Sequence, residues 1–273
     1  LITRKKLTGL AAAAAVLLAK SIVDRGALLI LIKGGALQTG FLDTYRPVHP
    51  QVDFPLFFGF LSFFWLFLNT PAESNPKKRR VFGFISLAIL GLSFYVYPYI
   101  WSLLYVFMGI LFLILFFLKK KQNLKGVFLV ALGGVLISIP YFLSVYTASL
   151  YPYFEDVLYR TRYMDTRGPI LGILVPSLFV IFLALFPKKP RERFIFCLSL
   201  LAAPFIVLNQ QIVTGKVFSP GHYHWFFNKP LAVVFLIIIF LSIIPRRWET
   251  LKKISAVFII GFSVYIGAVI QLT

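Results

Sequence analysis

Acidic and histidine side chains in segment 24–53 are the first residues of this chain that could carry acid–base chemistry. Asp43, His49 and Asp53 lie close together in the sequence, and Asp53 directly precedes a long apolar run. A carboxylate at a membrane surface can act as a base or bind a cation. We predict these three residues as catalytic candidates. The alternative for Asp53 is structural, because the helix dipole stabilises a carboxylate in a first helical turn.

Arginines and aromatic residues alternate in segment 147–169, where Arg160, Arg162 and Arg167 are the candidate phosphate ligands. The planar guanidinium group suits phosphate, and tyrosine suits a lipid head group or a sugar face. We therefore predict that this segment binds a lipid-linked phosphate. The alternative is that the arginines pair with neighbouring aspartates while the aromatic residues anchor the segment at the membrane interface.

Carboxamides and histidines are concentrated in segment 209–229. Its candidate residues for binding a sugar or an acceptor are Asn209, Gln210, Gln211, His222, His224 and Trp225. Burying unpaired carboxamides is costly, so the three at the end of an apolar run should face a cavity, a loop backbone or a polar ligand. A His-x-His spacing is weak support for a metal site. It favours hydrogen bonding or acid–base work, and we assign no metal ligands.

Membrane helices must position these residues, because the chain is too apolar for a water-soluble domain. Of its 273 residues 59% are hydrophobic and 14% charged, with a mean hydropathy of +0.87. The net charge of +19 comes from short basic clusters between apolar runs, which is typical of topology signals. A nucleic-acid partner is therefore excluded, and the lipid bilayer is predicted. Cys197 is the single cysteine, so a disulfide framework is excluded.

About nine apolar runs are long enough to cross a bilayer as helices. We predict an all-α, polytopic integral membrane protein, a single helical domain over residues 1–273, with spans at 7–23, 54–70, 81–96, 101–118, 126–146, 170–187, 194–209, 230–245 and 254–272. The stretch 81–118 is divided at 95–99, where a proline and tyrosines suit a break at a membrane interface. Segment 26–37 is too short to span and is expected at the interface or as a re-entrant stretch.

Nine crossings bring every dense basic cluster to one side. The clusters lie within 4–6, 77–80, 119–125, 188–193 and 246–253. The positive-inside rule makes that side cytoplasmic, whereas a single span over 81–118 would put later clusters on alternating sides. Most acidic residues and all three histidines then lie opposite. We predict an integral plasma (inner) membrane protein with an extracytoplasmic site.

Three segments spread through most of the chain share a pattern with a known superfamily. They are Arg46-Pro47-Val48-His49-Pro50-Gln51, Tyr95-Val96-Tyr97-Pro98-Tyr99-Ile100-Trp101, and the stretch from Asn209-Gln210-Gln211-Ile212-Val213-Thr214-Gly215 through Pro220-Gly221-His222. With them the chain resembles bacterial multi-pass proteins of the GT-C glycosyltransferase type, which include protein O-mannosyltransferases and lipid A aminoarabinose transferases. None of the three segments is a defining catalytic motif.

The resemblance implies transfer of a sugar from a polyprenyl-phosphate carrier to an extracytoplasmic acceptor. A carboxylate would activate the acceptor hydroxyl, while arginines or a divalent metal ion would stabilise the departing phosphate. In that superfamily the catalytic acid usually lies in the first large outer loop, often as an acidic pair, and segment 24–53 has no such pair. We expect this sequence to be the C-terminal part of a longer chain and to lack this loop itself. The alternatives are that Asp43 or Asp53 acts alone, or that the chain is not a transferase.

Three other functions fit the same topology. A surface-polysaccharide polymerase or ligase would share the many spans and the phosphate-binding arginines. A transporter or flippase would need ionisable groups within its spans, which are almost free of charge apart from Lys20. A non-catalytic membrane scaffold would have its outer polar groups paired with one another and no cavity between them.

Overall fold

The computed structural model describes residues 6–23, 25–33, 35, 51–160, 164–170, 172–185, 192–217 and 219–272. The α-helices are α1 (Lys6–Leu18), α2 (Arg25–Ile32), α3 (Asp53–Asn69), α4 (Pro76–Val96), α5 (Pro98–Phe117), α6 (Lys121–Ser149), α7 (Phe154–Arg160), α8 (Leu174–Leu185), α9 (Glu192–Leu208), α10 (Gln211–Thr214), α11 (Pro220–Tyr223), α12 (Lys229–Ile243) and α13 (Glu249–Leu272). Two 3₁₀ turns lie at Lys20–Val23 and Arg246–Trp248, and a π-helical turn lies at His224–Asn228. Two-residue strands β1 (Met164–Asp165) and β2 (Lys216–Val217) form one antiparallel ladder.

Six helical segments are long and apolar enough to cross a membrane. They are Pro76–Val96, Pro98–Phe117, Lys121–Ser149, Glu192–Thr214, Pro220–Ile243 and Glu249–Ile270. The helices α1, α3 and α8 are apolar but shorter. The chain is therefore an all-α membrane protein with six candidate spans among its described residues. Each of the nine apolar runs found in the sequence coincides with a long or a short apolar helix, but three of them are too short to count as spans by length.

The apolar stretch 81–118 forms two helices, as the sequence predicts. Helix α4 ends at Val96, Tyr97 is extended with φ −159° and ψ 119°, and Pro98 begins α5. Steric clash with a proline ring keeps the preceding residue out of the helical region, while proline itself suits a first helical turn. The break therefore lies at Tyr97, within the predicted segment.

The described residues group into two compact units, and the larger contains α3 to α7, the first half of α8, and α9 to α11. In this second unit, α3 and α4 pack together, α4 packs on α6, and α5 packs on both α6 and α9. Its interior is aromatic: the ring centres of Phe64 and Phe107 are 6.2 Å apart and those of Phe107 and Phe196 are 5.0 Å apart. Edge-to-face pairs of this kind add about 0.5–1.5 kcal/mol beyond their buried area.

The basic clusters at 77–80 and 119–125 lie at one end of the second unit. The Arg79 guanidinium lies 5.1 Å from the ring centre of Phe67 in α3, and a Cβ on Gly126 of α6 would lie 3.7 Å from Arg79. Helix α4 has 21 residues and is about 30 Å long. Tyr97, beyond its other terminus, therefore lies at the opposite end.

The first unit contains α1, α2, the second half of α8, α12 and α13. Helix α1 packs against α12 and α13. A small buried cluster joins Ala19 and Ala27 to Ile266 and Ile270 of α13. Lys20, the one charge expected within the first span, is only 1% exposed. Its ammonium group lies 5.7 Å from the ring centre of Phe226, so a cation–π contact contributes to its burial.

Candidate functional site

A cluster of Tyr97, Tyr99, Ser102, His222 and Tyr223 joins the turn between α4 and α5 to α11. The Tyr97 hydroxyl is hydrogen-bonded to His222 Nδ1, and the Tyr99 ring stacks on the imidazole with 4.9 Å between ring centres and 21° between planes. Ser102 Oγ lies 2.7 Å from the Tyr223 hydroxyl. We call these five residues the tyrosine–histidine cluster.

Exposure within the tyrosine–histidine cluster is uneven. Tyr97, Tyr99 and Tyr223 are 6–7% exposed, whereas His222 is exposed. The buried tyrosines hold one face and one nitrogen of the imidazole, and the side chain remains accessible from outside. Such a fixed ring can bind a polar ligand or exchange a proton near neutral pH.

Helix breaks in the sequence position the cluster. Pro98 begins α5 and Pro220 begins α11, so Tyr97 and His222 both lie within a few residues of a helix start. The extended backbone of Tyr97 directs the chain from α4 into α5 through a turn of one residue. That geometry aligns Tyr97 and Tyr99 on the same ring of His222.

Segments 147–169 and 209–223 are joined by the ladder of β1 and β2. Met164 pairs with Val217 and Asp165 pairs with Lys216. The Lys216 ammonium lies 2.5 Å from an Asp165 carboxylate oxygen, with both side chains well exposed. An exposed ion pair adds little stability, so we regard it as a marker of register.

Arg167 closes the same junction. Its Nη1 donates to the carbonyl oxygens of Ile212 at 2.9 Å and Val213 at 3.3 Å. Gly215 has φ +76°, and a Cβ at that position would lie 3.3 Å from Arg167 Nη2. Glycine is therefore favoured there by the left-handed backbone, and a side chain would also move the guanidinium slightly.

The three carboxamides predicted to bind a sugar contact the backbone of this junction. Asn209 accepts from the Ile170 amide at 2.9 Å and donates to the Ile170 and Phe205 carbonyls at 3.2 and 2.8 Å. Gln210 donates to the Lys216 carbonyl at 2.7 Å, and Gln211 donates to the Gly168 carbonyl at 3.0 Å. Of the environments expected from the sequence, the described residues provide a loop backbone.

Gln211 is the most constrained of the three. The residue is fully buried, and within the described part of the chain its Oε1 is buried without a hydrogen-bond partner. Gln210 Oε1 by contrast accepts from the Thr214 hydroxyl at 2.8 Å. The hydrogen bonds of these carboxamides therefore stabilise the connection between α9 and β2.

The predicted catalytic and phosphate-binding residues are placed in part. Asp43, His49 and Arg162 lie outside the described residues, and of Arg160 only the backbone, at the end of α7, is described. Asp53 begins α3 and is fully buried. Because α3 and α4 are consecutive helices that pack together across a short connection, Asp53 lies at the same end of the second unit as Tyr97.

The structure brings some of the predicted site residues together and separates others. His222 belongs to the tyrosine–histidine cluster, and Arg167, Gln210 and Gln211 belong to the β1–β2 junction, all within the second unit. His224 and Trp225 belong to the first unit, where the Lys229 ammonium lies 3.1 Å from the ring centre of Trp225. No group of three or more His, Cys, Asp or Glu side chains is close enough to hold a metal ion among the described residues.

Sequence reasoning did not identify Tyr97, Tyr99, Ser102 or Tyr223 as site residues. The tyrosines at 95–99 were interpreted only as a helix break at an interface. Nothing in their spacing pointed to His222, which is 125 positions from Tyr97. The one usable signal was that both segments are expected on the same side of the membrane.

Comparison with known proteins gives no relative for this chain: no protein-family model, no curated protein and no solved structure matches it.

Proposed function

We propose that this chain belongs to an integral membrane glycosyltransferase of the GT-C type, which transfers a sugar from a polyprenyl-phosphate carrier to an extracytoplasmic acceptor. The observation that carries the proposal is the exposed, doubly held His222, at the end of the second unit opposite the basic clusters. A carboxylate, Asp53, lies at the same end. His222 offers an accessible contact for the acceptor, and Asp53 is the carboxylate that transfer to an acceptor hydroxyl requires.

Nine crossings are part of the proposal, and the β1–β2 ladder supports them. Residues 164–165 and 216–217 are paired and therefore lie on the same side of a membrane. The long span Glu192–Thr214 lies between them in sequence. An even number of crossings must separate the two strands, so we assign the second crossing to the short apolar helix α8. The positive-inside rule then makes the end with clusters 77–80 and 119–125 cytoplasmic.

Roles within the transfer follow from residue chemistry. Asp53 accepts the proton of the acceptor hydroxyl as that oxygen attacks the anomeric carbon, and the bond to the carrier phosphate breaks. His222, with Asn209, Gln210 and Gln211, forms the sugar and acceptor contacts. Arg160, Arg162 and Arg167 stabilise the departing phosphate. Arg167 donates from Nη1 to the Ile212 and Val213 carbonyls. A guanidinium has five N–H donors, and in this proposal the Nε and Nη2 donors of Arg167 bind the phosphate.

Transfer is tested with the purified chain in nanodiscs. The probes are polyprenyl-phosphate monosaccharides, and mass spectrometry measures the polyprenyl phosphate released in the presence of an envelope extract as acceptor. Asp53→Asn should lower release at least about 100-fold, because a general base contributes that much. Glu73→Gln, an exposed carboxylate in the connection beyond the other end of α3, should leave it unchanged. Equal release by both variants would contradict the role of Asp53.

A non-catalytic membrane scaffold is the second candidate. It is favoured by the carboxamides of Asn209, Gln210 and Gln211, whose hydrogen bonds go to the chain's own backbone. Native mass spectrometry with polyprenyl monophosphate and polyprenol separates the two functions. A transferase retains the phosphate in preference to the alcohol, whereas a scaffold shows no preference and no turnover.

A further inference from the structure

A groove lies where α6 ends and α7 begins, within the second unit. It has a volume of about 590 Å³ and is lined by Leu143, Ser144, Thr147, Ala148, Tyr151, Tyr153, Phe154 and Val157. Ser144 donates to the Pro140 carbonyl and Thr147 to the Leu143 carbonyl, both at 2.9 Å. Apart from these two hydroxyls and those of Tyr151 and Tyr153, the lining side chains are apolar. The wall therefore suits a hydrocarbon chain better than a peptide or a sugar.

The groove is continuous with a surface that faces lipid. Leu129, Leu136 and Leu143 recur at a spacing of seven along α6 and are 50–60% exposed. A spacing of seven keeps side chains on one helix face. Leu143 ends this exposed stripe and also forms part of the groove wall. A hydrocarbon chain lying along the stripe thus leads directly into the groove.

The length of α6 determines where the groove lies relative to the hydrocarbon core of the membrane. That helix has 29 residues, whereas about 20 cross the hydrocarbon core. Thr147 is about 33 Å along the helix from Lys125, one hydrocarbon thickness away from the basic end. Tyr146, Tyr151 and Tyr153, at 65–77% exposed, form an aromatic belt there, as expected at the boundary between hydrocarbon and head groups.

The described charged side chains next to the groove are acidic. Glu155 and Asp156 lie in the first turn of α7 and are exposed. They adjoin the groove residues Phe154 and Val157. Carboxylates attract an ammonium group within the Debye length of about 8 Å, and exposed tyrosine rings attract it through cation–π contacts.

We propose that this groove binds a membrane lipid with an ammonium head group, of the phosphatidylethanolamine class, with one acyl chain against α6 and the ammonium at the tyrosine and carboxylate rim. The site is separate from the proposed transfer reaction and does not depend on it. It is also independent of which end of the molecule is cytoplasmic.

Photo-crosslinking locates the lipid. The protein is placed in nanodiscs that contain phosphatidylethanolamine with a diazirine in its acyl chain next to the ester bond, so that the probe lies at the groove and not farther down α6, and crosslinked peptides are mapped by mass spectrometry. Crosslinks should be enriched in 143–157 over the plain lipid-facing stretch 129–139. Ala148→Trp fills the groove from an exposed position and should reduce the enrichment at least about threefold. Val145→Trp is the matched control, because Val145 is exposed on α6 but does not line the groove.

Head-group preference is measured by native mass spectrometry with phosphatidylethanolamine and phosphatidylglycerol of identical acyl chains. The protein should bind the ammonium lipid about threefold more tightly, the effect of one exposed carboxylate–ammonium pair. Glu155→Gln with Asp156→Asn should abolish the difference, whereas Glu73→Gln, an exposed carboxylate in the connection between α3 and α4, should retain it. Equal crosslinking of 129–139 and 143–157, equal binding of the two lipids, or crosslinks to a second copy of the chain in this segment would each overturn the proposal.

Discussion

At the residue scale, the polar side chains that were predicted to form a site have different environments among the described residues. Asn209, Gln210 and Gln211 are used by the β1–β2 junction, whereas His222 is exposed while its ring is held by Tyr97 and Tyr99. An imidazole that is both held and accessible is the more useful group for a reaction, because ordering its side chain costs no further conformational entropy when a ligand binds.

Tyr97→Phe tests whether the Tyr97 hydroxyl orients His222. The change removes one partly buried hydrogen bond, so the free energy of unfolding should fall by about 1 kcal/mol. The less constrained imidazole should react up to about fivefold faster with diethyl pyrocarbonate, measured as His222 modification by mass spectrometry. Tyr95→Phe removes the hydrogen bond to the Ile137 carbonyl and should leave His222 reactivity unchanged. A similar reactivity change in both variants would contradict the orienting role.

Gly215→Ala tests the geometry of the β1–β2 junction. Alanine is strained at φ +76° and its Cβ approaches Arg167, so the free energy of unfolding should fall by more than about 1 kcal/mol. Gly109→Ala should be neutral or stabilising, because a Cβ there meets nothing within 4 Å in the middle of α5. Thermal unfolding in detergent measures both, and hydrogen exchange of 209–217 should rise only in Gly215→Ala. Equal stability of the two variants would contradict the account.

The sequence predicts this site in part. Residue type alone identifies His222, Arg167 and the carboxamides as candidates. The cost of burying an unpaired carboxamide also predicts a loop backbone as one of three possible environments. It could not show that Gln211 would bond to Gly168, 43 positions away, because the meeting of two connections depends on how the helices between them pack. For the same reason Tyr97 and Tyr99 were assigned to a helix break alone.

At the element scale, close packing of helices in the second unit depends on glycines that face a neighbour. A Cβ on Gly133 of α6 would lie 2.2 Å from Leu87 of α4, and one on Gly134 would lie 2.7 Å from Leu90. Small residues at such contacts let two helix backbones approach. The length of the apolar runs predicted these helices, but it does not reveal which face of an all-apolar helix meets another helix and which meets lipid.

Gly133→Val should therefore separate α4 from α6. The larger side chain overpacks the contact and should cost at least about 1–3 kcal/mol of unfolding free energy, measured by thermal unfolding in detergent. Gly261→Val in α13 is the control, since a Cβ at Gly261 meets nothing within 4 Å. Its free energy of unfolding should fall by less than about 1 kcal/mol, because valine has a higher helix propensity than glycine and this offsets part of any packing cost. If both variants unfold at the same temperature, the α4–α6 contact is not close-packed.

At the scale of the whole molecule, charge and composition differ between the two ends of the second unit. Clusters 77–80 and 119–125 lie at one end, and the tyrosine–histidine cluster and the β1–β2 ladder involve connections at the other. The sequence predicted this separation from charge alone, because the translocation of basic segments is disfavoured. Helix α8, with 12 residues, is the shortest of the proposed crossings, and the pairing of β1 with β2 is the reason to propose it.

The most direct test of this account is the sidedness of single cysteines in intact cells. Cys197 is buried and is the single cysteine of the chain, so Cys197→Ser gives a background for Asp165→Cys, Val213→Cys, Ser74→Cys and Gln122→Cys, each at an exposed residue. The account predicts that a membrane-impermeant maleimide labels Asp165→Cys and Val213→Cys from outside, and labels Ser74→Cys and Gln122→Cys only after permeabilisation. Labelling of Asp165→Cys and Val213→Cys from opposite sides, or of Ser74→Cys in intact cells, would contradict it.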